Sequence, residues 1–322
     1  MTEGGLLFLA LLVLLCAMFV NGATDAPVLL SAPLLSGALT PRQGAMVSAL
    51  CNGAGLVISL RFFPSVAETV GELARFGTRP RVGLLALSAV LLSAVVWAVA
   101  AWVFGIPTSE SHALLAGLVG ASVALGEGAN ILGASFEVLW GLCLSLAGGY
   151  LLCRLGLHAT NMLSRRVLYS KSQRLCRSAS VVLAAASSFL HGAQDGQKFT
   201  GLFLLALSFG DVEMGRGAFV LPVLALSVGS ACVRGRILDT LGADGSFSQR
   251  GALVAELSGV LCLAACTVLG LPVSTTHLKS AALSAVRQGG RGHARGLVLT
   301  WLLTFPACFC LAFAATSLFL RL

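Results

Sequence analysis

Two stretches of this 322-residue chain, 82–104 and 296–320, carry no charged side chain over their whole length. That feature limits the fold more than any other. About 20 helical residues cross the hydrocarbon core of a bilayer, and in lipid only helices or closed barrels satisfy every backbone polar group. The runs are continuous rather than alternating, which selects helices. Charged residues make up 11% of the chain, against about 25% in a soluble domain, and Gly is plentiful enough for close helix packing in a membrane. The sequence therefore predicts an all-α polytopic membrane protein. The first apolar run, 6–20, has Glu3 as the only charge before it and ends in Asn21-Gly22. It lacks the positive n-region and small-residue cleavage site of a signal peptide, so it is read as a helix of the mature chain.

The net charge of +8 sits mostly in loops. Residues 154–177 hold Arg154, Arg165, Arg166, Lys171, Arg174 and Arg177 and no acidic residue. By the positive-inside rule this central segment faces the cytoplasm, a commoner role for such a run than binding nucleic acid. The ten cysteines are scattered through apolar runs without metal-site spacing. They are expected to be small packing residues, and no cofactor is expected.

Polar, Gly/Pro-marked breaks recur along the chain. Asn21-Gly22-Ala23-Thr24-Asp25 corresponds to His191-Gly192-Ala193-Gln194-Asp195, and Gly105-Ile106-Pro107-Thr108-Ser109-Glu110-Ser111-His112 to Gly270-Leu271-Pro272-Val273-Ser274-Thr275-Thr276-His277. Trp140 and Trp301 fall in matching late helices, and Arg42-Gln43-Gly44-Ala45 resembles Gln249-Arg250-Gly251-Ala252. The expected organisation is an N-terminal transmembrane repeat at 1–155, a basic cytoplasmic loop at 156–178, and a C-terminal repeat at 179–322 with an inserted span near 203–240. Short apolar segments beside the breaks (26–38, 113–126, 199–209 and 278–287) read as half-helices or re-entrant hairpins. Paired repeats with interrupted hydrophobic segments point to a secondary transporter with its site between the repeats.

Asp25, Glu110, Asp195 and Glu256 fall at membrane depth. A carboxylate there costs about 2.5–3.5 kcal/mol on insertion scales, which makes each a functional candidate; pairing with Lys198 or Lys279 is the structural alternative. The second pair of breaks ends in Pro and Ser/Thr before a helix, the composition of a helix start. Helix N-termini bind tetrahedral oxyanions through backbone N–H groups, and hydroxyls, which donate and accept, suit a partly protonated phosphate. A phosphate dianion beside ionised Asp25 and Asp195 would be prohibitive in a low-dielectric site unless cations or protons enter with it. The carboxylates are therefore assigned to coupling cations, with carbonyls near Gly22-Ala23 and Gly192-Ala193 completing an oxygen site for Na⁺. Coupled symport follows.

At these residues the chain resembles the inorganic phosphate transporter (PiT) family, in a bacterial branch. The likeness runs through 21–27, Leu39-Thr40-Pro41-Arg42, His191-Gly192-Ala193-Gln194-Asp195-Gly196-Gln197-Lys198 and Leu271-Pro272-Val273-Ser274-Thr275-Thr276-His277, and spans essentially the whole chain. It implies two inverted-topology repeats and a homodimeric, multi-pass carrier of the bacterial inner membrane that moves phosphate with Na⁺ or H⁺. Carried over by position, Ser109, Ser111, Ser274, Thr275 and Thr276 would hold the anion. Asp25 and Asp195, helped by Thr24 and Gln194, would hold the cation. The Asn that precedes Asp in the family is Thr24 in one half and Gln194 in the other, and Glu110 stands where Thr is commoner. Glu110, Glu256 and Lys198 are candidates for proton handling or gating. A sulfate carrier of the same fold is one alternative; an intramembrane enzyme using Asp25 and Asp195 is a remote one, since no His-Glu-x-x-His motif is present. No catalytic residue and no nucleic-acid partner are expected.

Overall fold

A computed structural model of the chain describes residues 2–74, 76, 79–163, 169–213, 215, 217–233, 235–242, 248–286 and 291–321. Among these residues the regular structure is helical. The first series is α1 (Glu3–Leu29), α2 (Ser31–Leu35), α3 (Pro41–Phe62), α4 (Ser65–Leu73), α5 (Pro80–Phe104), α6 (Glu110–Ala124) and α7 (Gly128–Leu163). The second is α8 (Tyr169–His191), a π-helical turn (Gly192–Gly196), α9 (Gln197–Phe209), α10 (Val220–Ser230), α11 (Arg236–Gly242), α12 (Gln249–Val268), α13 (Thr275–Val286) and α14 (Arg291–Phe319). Helices α1, α3, α5 and α12 and the Val298–Phe319 part of α14 are long and apolar enough to cross a membrane. Helices α6 and α13 are not: at 15 and 12 residues they reach only about 18–23 Å at 1.5 Å per residue.

Partner choice is reciprocal between the two series. Helix α1 packs on α10 and α8 on α3; α1 packs on α5 and α8 on α12; α6 packs on α14 and α13 on α7. The crossings are close because glycine removes the side chain at each. A Cβ at Gly229 of α10 would stand 2.0 Å from the Phe19 carbonyl of α1, and one at Gly55 of α3 would stand 1.9 Å from the Phe189 carbonyl of α8. These are the small-residue contacts by which membrane helices gain packing without a hydrophobic driving force.

Helix α10 packs on α1, and α3 packs on α8. The likeness of 42–45 to 249–252 has a local cause: both are helix starts. Thr40 and Gln43 form a capping box on α3, and Ser248 caps α12 through the Gly251 N–H; similar caps recruit similar residues. The basic segment 156–178 is largely helical, its first residues completing α7 and its last opening α8, while 164–168, with Arg165 and Arg166, lie outside the described residues.

The two kinds of break also differ. Residues 21–25 do not interrupt α1, which continues to Leu29 and carries Pro27 within it. The first polar motif is therefore wound rather than open, although Pro27 removes the N–H that would reach the carbonyl four residues back. Its counterpart is the π turn at Gly192–Gly196, which joins α8 to α9. The second pair are true breaks. Gly105 and Gly270 turn the chain at φ 71° and 68°, the left-handed region that glycine enters without steric cost. Pro107 and Pro272 then stand two residues before the Ser caps, in the extended links rather than in a first helical turn.

Replacing Gly229 or Gly55 with Ala should destabilise the bundle by about 1–3 kcal/mol, the usual cost of overpacking, because backbone atoms face the added methyl. Gly71, with open space around it, serves as the control. Thermal denaturation of the purified variants checks this, and equal melting temperatures for all three would contradict the packing described.

Candidate functional site

The two true breaks deliver two helix starts to one place. Ser109 caps α6 by accepting from the His112 N–H at 3.2 Å, and Ser274 does the same for the His277 N–H at 3.1 Å. The two cap hydroxyls then bond each other at 2.8 Å, and the His112 and His277 rings meet with centroids 4.7 Å apart. Helices α6 and α13 thus face each other N-terminus to N-terminus, with both positive dipole ends converging. Trp97 Nε1 anchors the first link to Thr108 Oγ1 at 2.9 Å. Gln194 Nε2 anchors the second to the Leu271 carbonyl at 3.1 Å.

Against this junction lie three carboxylates, each at most 5% exposed. Asp25 accepts from Thr276 Oγ1 at 2.5 Å and from Thr275 Oγ1 at 3.0 Å. Asp195 lies 2.8 Å from the same Thr275 hydroxyl and accepts from Lys198 Nζ. Between the aspartates stands His191, its Nε2 at 3.3 Å from Asp25 Oδ2 and 3.2 Å from Asp195 Oδ2. Glu110, the first residue of α6, accepts from Thr24 Oγ1 at 3.1 Å. Lys198 Nζ also donates to Ser111 Oγ at 2.6 Å and to the Val273 carbonyl at 2.5 Å. These bonds offset part of the cost of burying charge.

The orientation of His191 has chemical content. Asn52 Nδ2 donates to the Ser48 carbonyl at 3.1 Å, which leaves Asn52 Oδ1 facing His191 Nδ1 at 2.5 Å. A carbonyl oxygen only accepts, so Nδ1 carries hydrogen. A neutral ring would then turn a lone pair at Nε2 toward two carboxylates. A proton shared among His191, Asp25 and Asp195 removes that conflict. These three also form the buried group whose ligand atoms lie within 4.8 Å of one another, a place where a cation can substitute for the proton.

Residues expected for the anion and residues expected for the cation meet in one buried region, with Thr275 and Thr276 bonded to Asp25 and Asp195. Ser111, Lys198, Asp195, Thr275, Asp25 and Thr276 are joined by hydrogen bonds, while the Ser109–Ser274 pair and the Thr24–Glu110 pair lie beside them in the same break regions. Gln194 instead holds the link at Leu271, with its Oε1 unpaired. Glu256 belongs to a second buried pair: Lys279 Nζ donates to Glu256 Oε2 at 2.7 Å and to Ser187 Oγ at 2.6 Å, and Ser187 donates to Glu256 at 2.9 Å. The sequence reading assigned no role to His191 or Asn52. His191 was visible in the repeated motif; Asn52 carried no signal, because its role depends on α3 crossing α8.

Fold and site define the class: a multi-spanning helical membrane protein with an ionisable interior, the build of a transporter. Comparison with known proteins gives the family. A model of the phosphate transporter family matches residues 21–173 and 146–312. The "Probable low-affinity inorganic phosphate transporter" of Bacillus subtilis (strain 168) is 26% identical over 317 residues, covering 94% of each chain. Its namesake in Rhizobium meliloti (strain 1021) is 30% identical over 309 residues, 90% of this chain and 89% of that one. Among solved structures, "The sodium-dependent phosphate transporter" shares the fold, with a TM-score of 0.87 at 18% identity over 99% of this chain and 100% of that one. The chain belongs to the phosphate transporter family, and so is a transporter rather than an enzyme.

The Glu256–Lys279 pair gives a stability prediction. Removing one partner, as in Glu256→Gln or Lys279→Met, should cost about 3–5 kcal/mol by leaving an uncompensated buried charge. The double variant should recover much of that loss in a double-mutant cycle of thermal or denaturant unfolding. Strict additivity would show that the two side chains do not interact.

Proposed function

We propose that the chain carries inorganic phosphate across the cell membrane by symport with Na⁺ or H⁺. One observation carries this reading: two helix N-termini meet at the Ser109–Ser274 hydrogen bond, a field suited to a tetrahedral oxyanion, while three buried carboxylates stand beside it. A site with that much negative charge accepts a dianion only when positive charge enters with it. Ser109, Ser111, Ser274, Thr275 and Thr276 take the anion in this scheme, and Asp25 and Asp195 take the cation. The reciprocal packing of α1–α7 and α8–α14 supports two repeats of inverted topology, with the exchange between inward- and outward-facing states arising at their interface.

Coupling follows from shared donors. Each threonine hydroxyl has one hydrogen, and those of Thr275 and Thr276 are directed at the aspartates. A cation or proton on the aspartates relieves them of that demand, so the hydroxyls turn to the anion. Each ligand thus raises the affinity for the other, which is the reciprocity that linkage requires. Sulfate remains the second substrate to weigh. It cannot donate a hydrogen bond at neutral pH, so Glu110, an acceptor beside the junction, favours hydrogen phosphate. By the positive-inside rule the basic segment between α7 and α8 faces the cytoplasm, and the family likeness favours a homodimer in the inner membrane.

Radiolabelled phosphate and sulfate uptake into proteoliposomes, with and without sodium and pH gradients, tests the scheme. Phosphate should accumulate under at least one gradient, and sulfate should not compete at equal concentration. Asp25→Asn and Asp195→Asn should lose gradient-driven uptake, whereas Ser274→Ala should raise the KM for phosphate several-fold and leave most of the maximal rate. Normal uptake by both aspartate variants would remove the coupling assignment.

A further inference from the structure

The two aspartates sit in matching motifs but do not have matching partners. Asp25 is met by hydroxyls and His191, whereas Asp195 has in addition the amine of Lys198. Three residues beyond Asp25 in the first motif stands Val28, where the second motif has Lys198. Lys198 is 2% exposed, and its Nζ has three partners. They are the Asp195 carboxylate, the Ser111 hydroxyl at 2.6 Å and the Val273 main-chain carbonyl at 2.5 Å.

An ammonium has three hydrogens to donate, so this set uses all of them. The set is also unusual for a lysine in its origin. The carboxylate comes from the π turn, the hydroxyl from the first turn of α6 and the carbonyl from the link before α13, so three separate elements converge on one point. A carboxylate, a hydroxyl and a backbone carbonyl are the oxygen ligands that hard metal cations take. Lys198 also borders a cavity of about 20 Å³ whose other walls are mostly apolar, with Val70, Leu114, Leu115 and Pro272 among them.

We propose that the Lys198 ammonium is a tethered substitute for a coupling cation at Asp195. The oxygen site there is built for a mobile ion but is filled by the chain itself, and exchange of a coupling Na⁺ or H⁺ is left to Asp25 and its neighbours. This rests on the symport reading above and narrows it: of the two aspartates given the cation there, Asp195 takes its positive charge from Lys198 and Asp25 exchanges the mobile one. With Lys198 in place, the carrier needs one mobile cation fewer than a relative with a short neutral residue at this position.

Shortening the side chain should reopen the site. Melting temperatures are to be measured for the wild type, Lys198→Ala, Lys198→Asn and Lys198→Met, in NaCl and in choline chloride at equal ionic strength. Lys198→Ala and Lys198→Asn should melt several degrees higher in NaCl than in choline chloride, a larger difference than in the wild type. Lys198→Met, which fills the space without charge, should show no added sodium effect. In proteoliposomes the two short variants should take up phosphate at less than about a tenth of the wild-type rate without Na⁺ and recover several-fold when it is supplied. The proposal is overturned if both short variants respond to Na⁺ as the wild type does, or if neither folds in a sodium-containing buffer, since a vacated cation site would accept the ion. The thermal measurement involves no phosphate, so it separates failure of this idea from failure of the phosphate reading.

Discussion

Keeping carboxylates ionisable inside a membrane protein is the constraint around which the interior is organised. A carboxylate removed from water needs compensation from every side, and each buried acid here has found it differently. Asp25 has the Thr276 hydroxyl, Asp195 has the Lys198 ammonium, and the two share the single Thr275 hydroxyl and the His191 imidazole. Glu110 has Thr24, and Glu256 has Lys279 and Ser187. The only way to bring so many donors together from a chain of helices is to cross and interrupt them at these residues. The glycine contacts, the π turn and the two left-handed turns all serve that convergence.

The helix irregularities sort by what they must supply. At Gly105 and Gly270 the chain has to stop and restart so that free N–H groups point inward, and a left-handed glycine followed by proline and a serine cap does this. At 21–25 and 192–196 the task is to aim side chains, and a wound helix does that better than an open one. Hence α1 is continuous through Asp25, and the second motif yields only to a π turn, a distortion common at functional sites.

How much of this could be read from the chain follows the same division. The membrane class was legible because a helix left uncharged for longer than a bilayer's thickness is seldom stable outside lipid. The burial of Asp25, Asp195, Glu110, Ser109 and Ser274 was legible because they lie in apolar surroundings and in duplicated motifs. The state of the 21–25 motif was not, since Gly and polar residues signal a break equally well whether the helix stops or merely carries them. The packing of α3 on α8 and of α10 on α1 is not visible in the cap resemblance between α3 and α12. The Asn52–His191 contact depends on a crossing that no local pattern encodes.

What the two helix series share and where they differ are informative together. The packing partners are kept, as Phe19–Gly229 and Phe189–Gly55 show, with each carbonyl seated on the glycine of the opposite series. The chemistry is not kept. His191 answers to Asn21, Lys198 to Val28 and Thr275 to Glu110 across the two motifs. Exchange between two states by rocking one half against the other requires matched shapes, because the same interface must fit in both arrangements. It does not require matched charges, and a site with two copies of the first half would gather four carboxylates with no lysine beside them. Placing a lysine and a histidine on one side only holds the interior near balance while leaving Asp25, on the other side, with no fixed ammonium beside it.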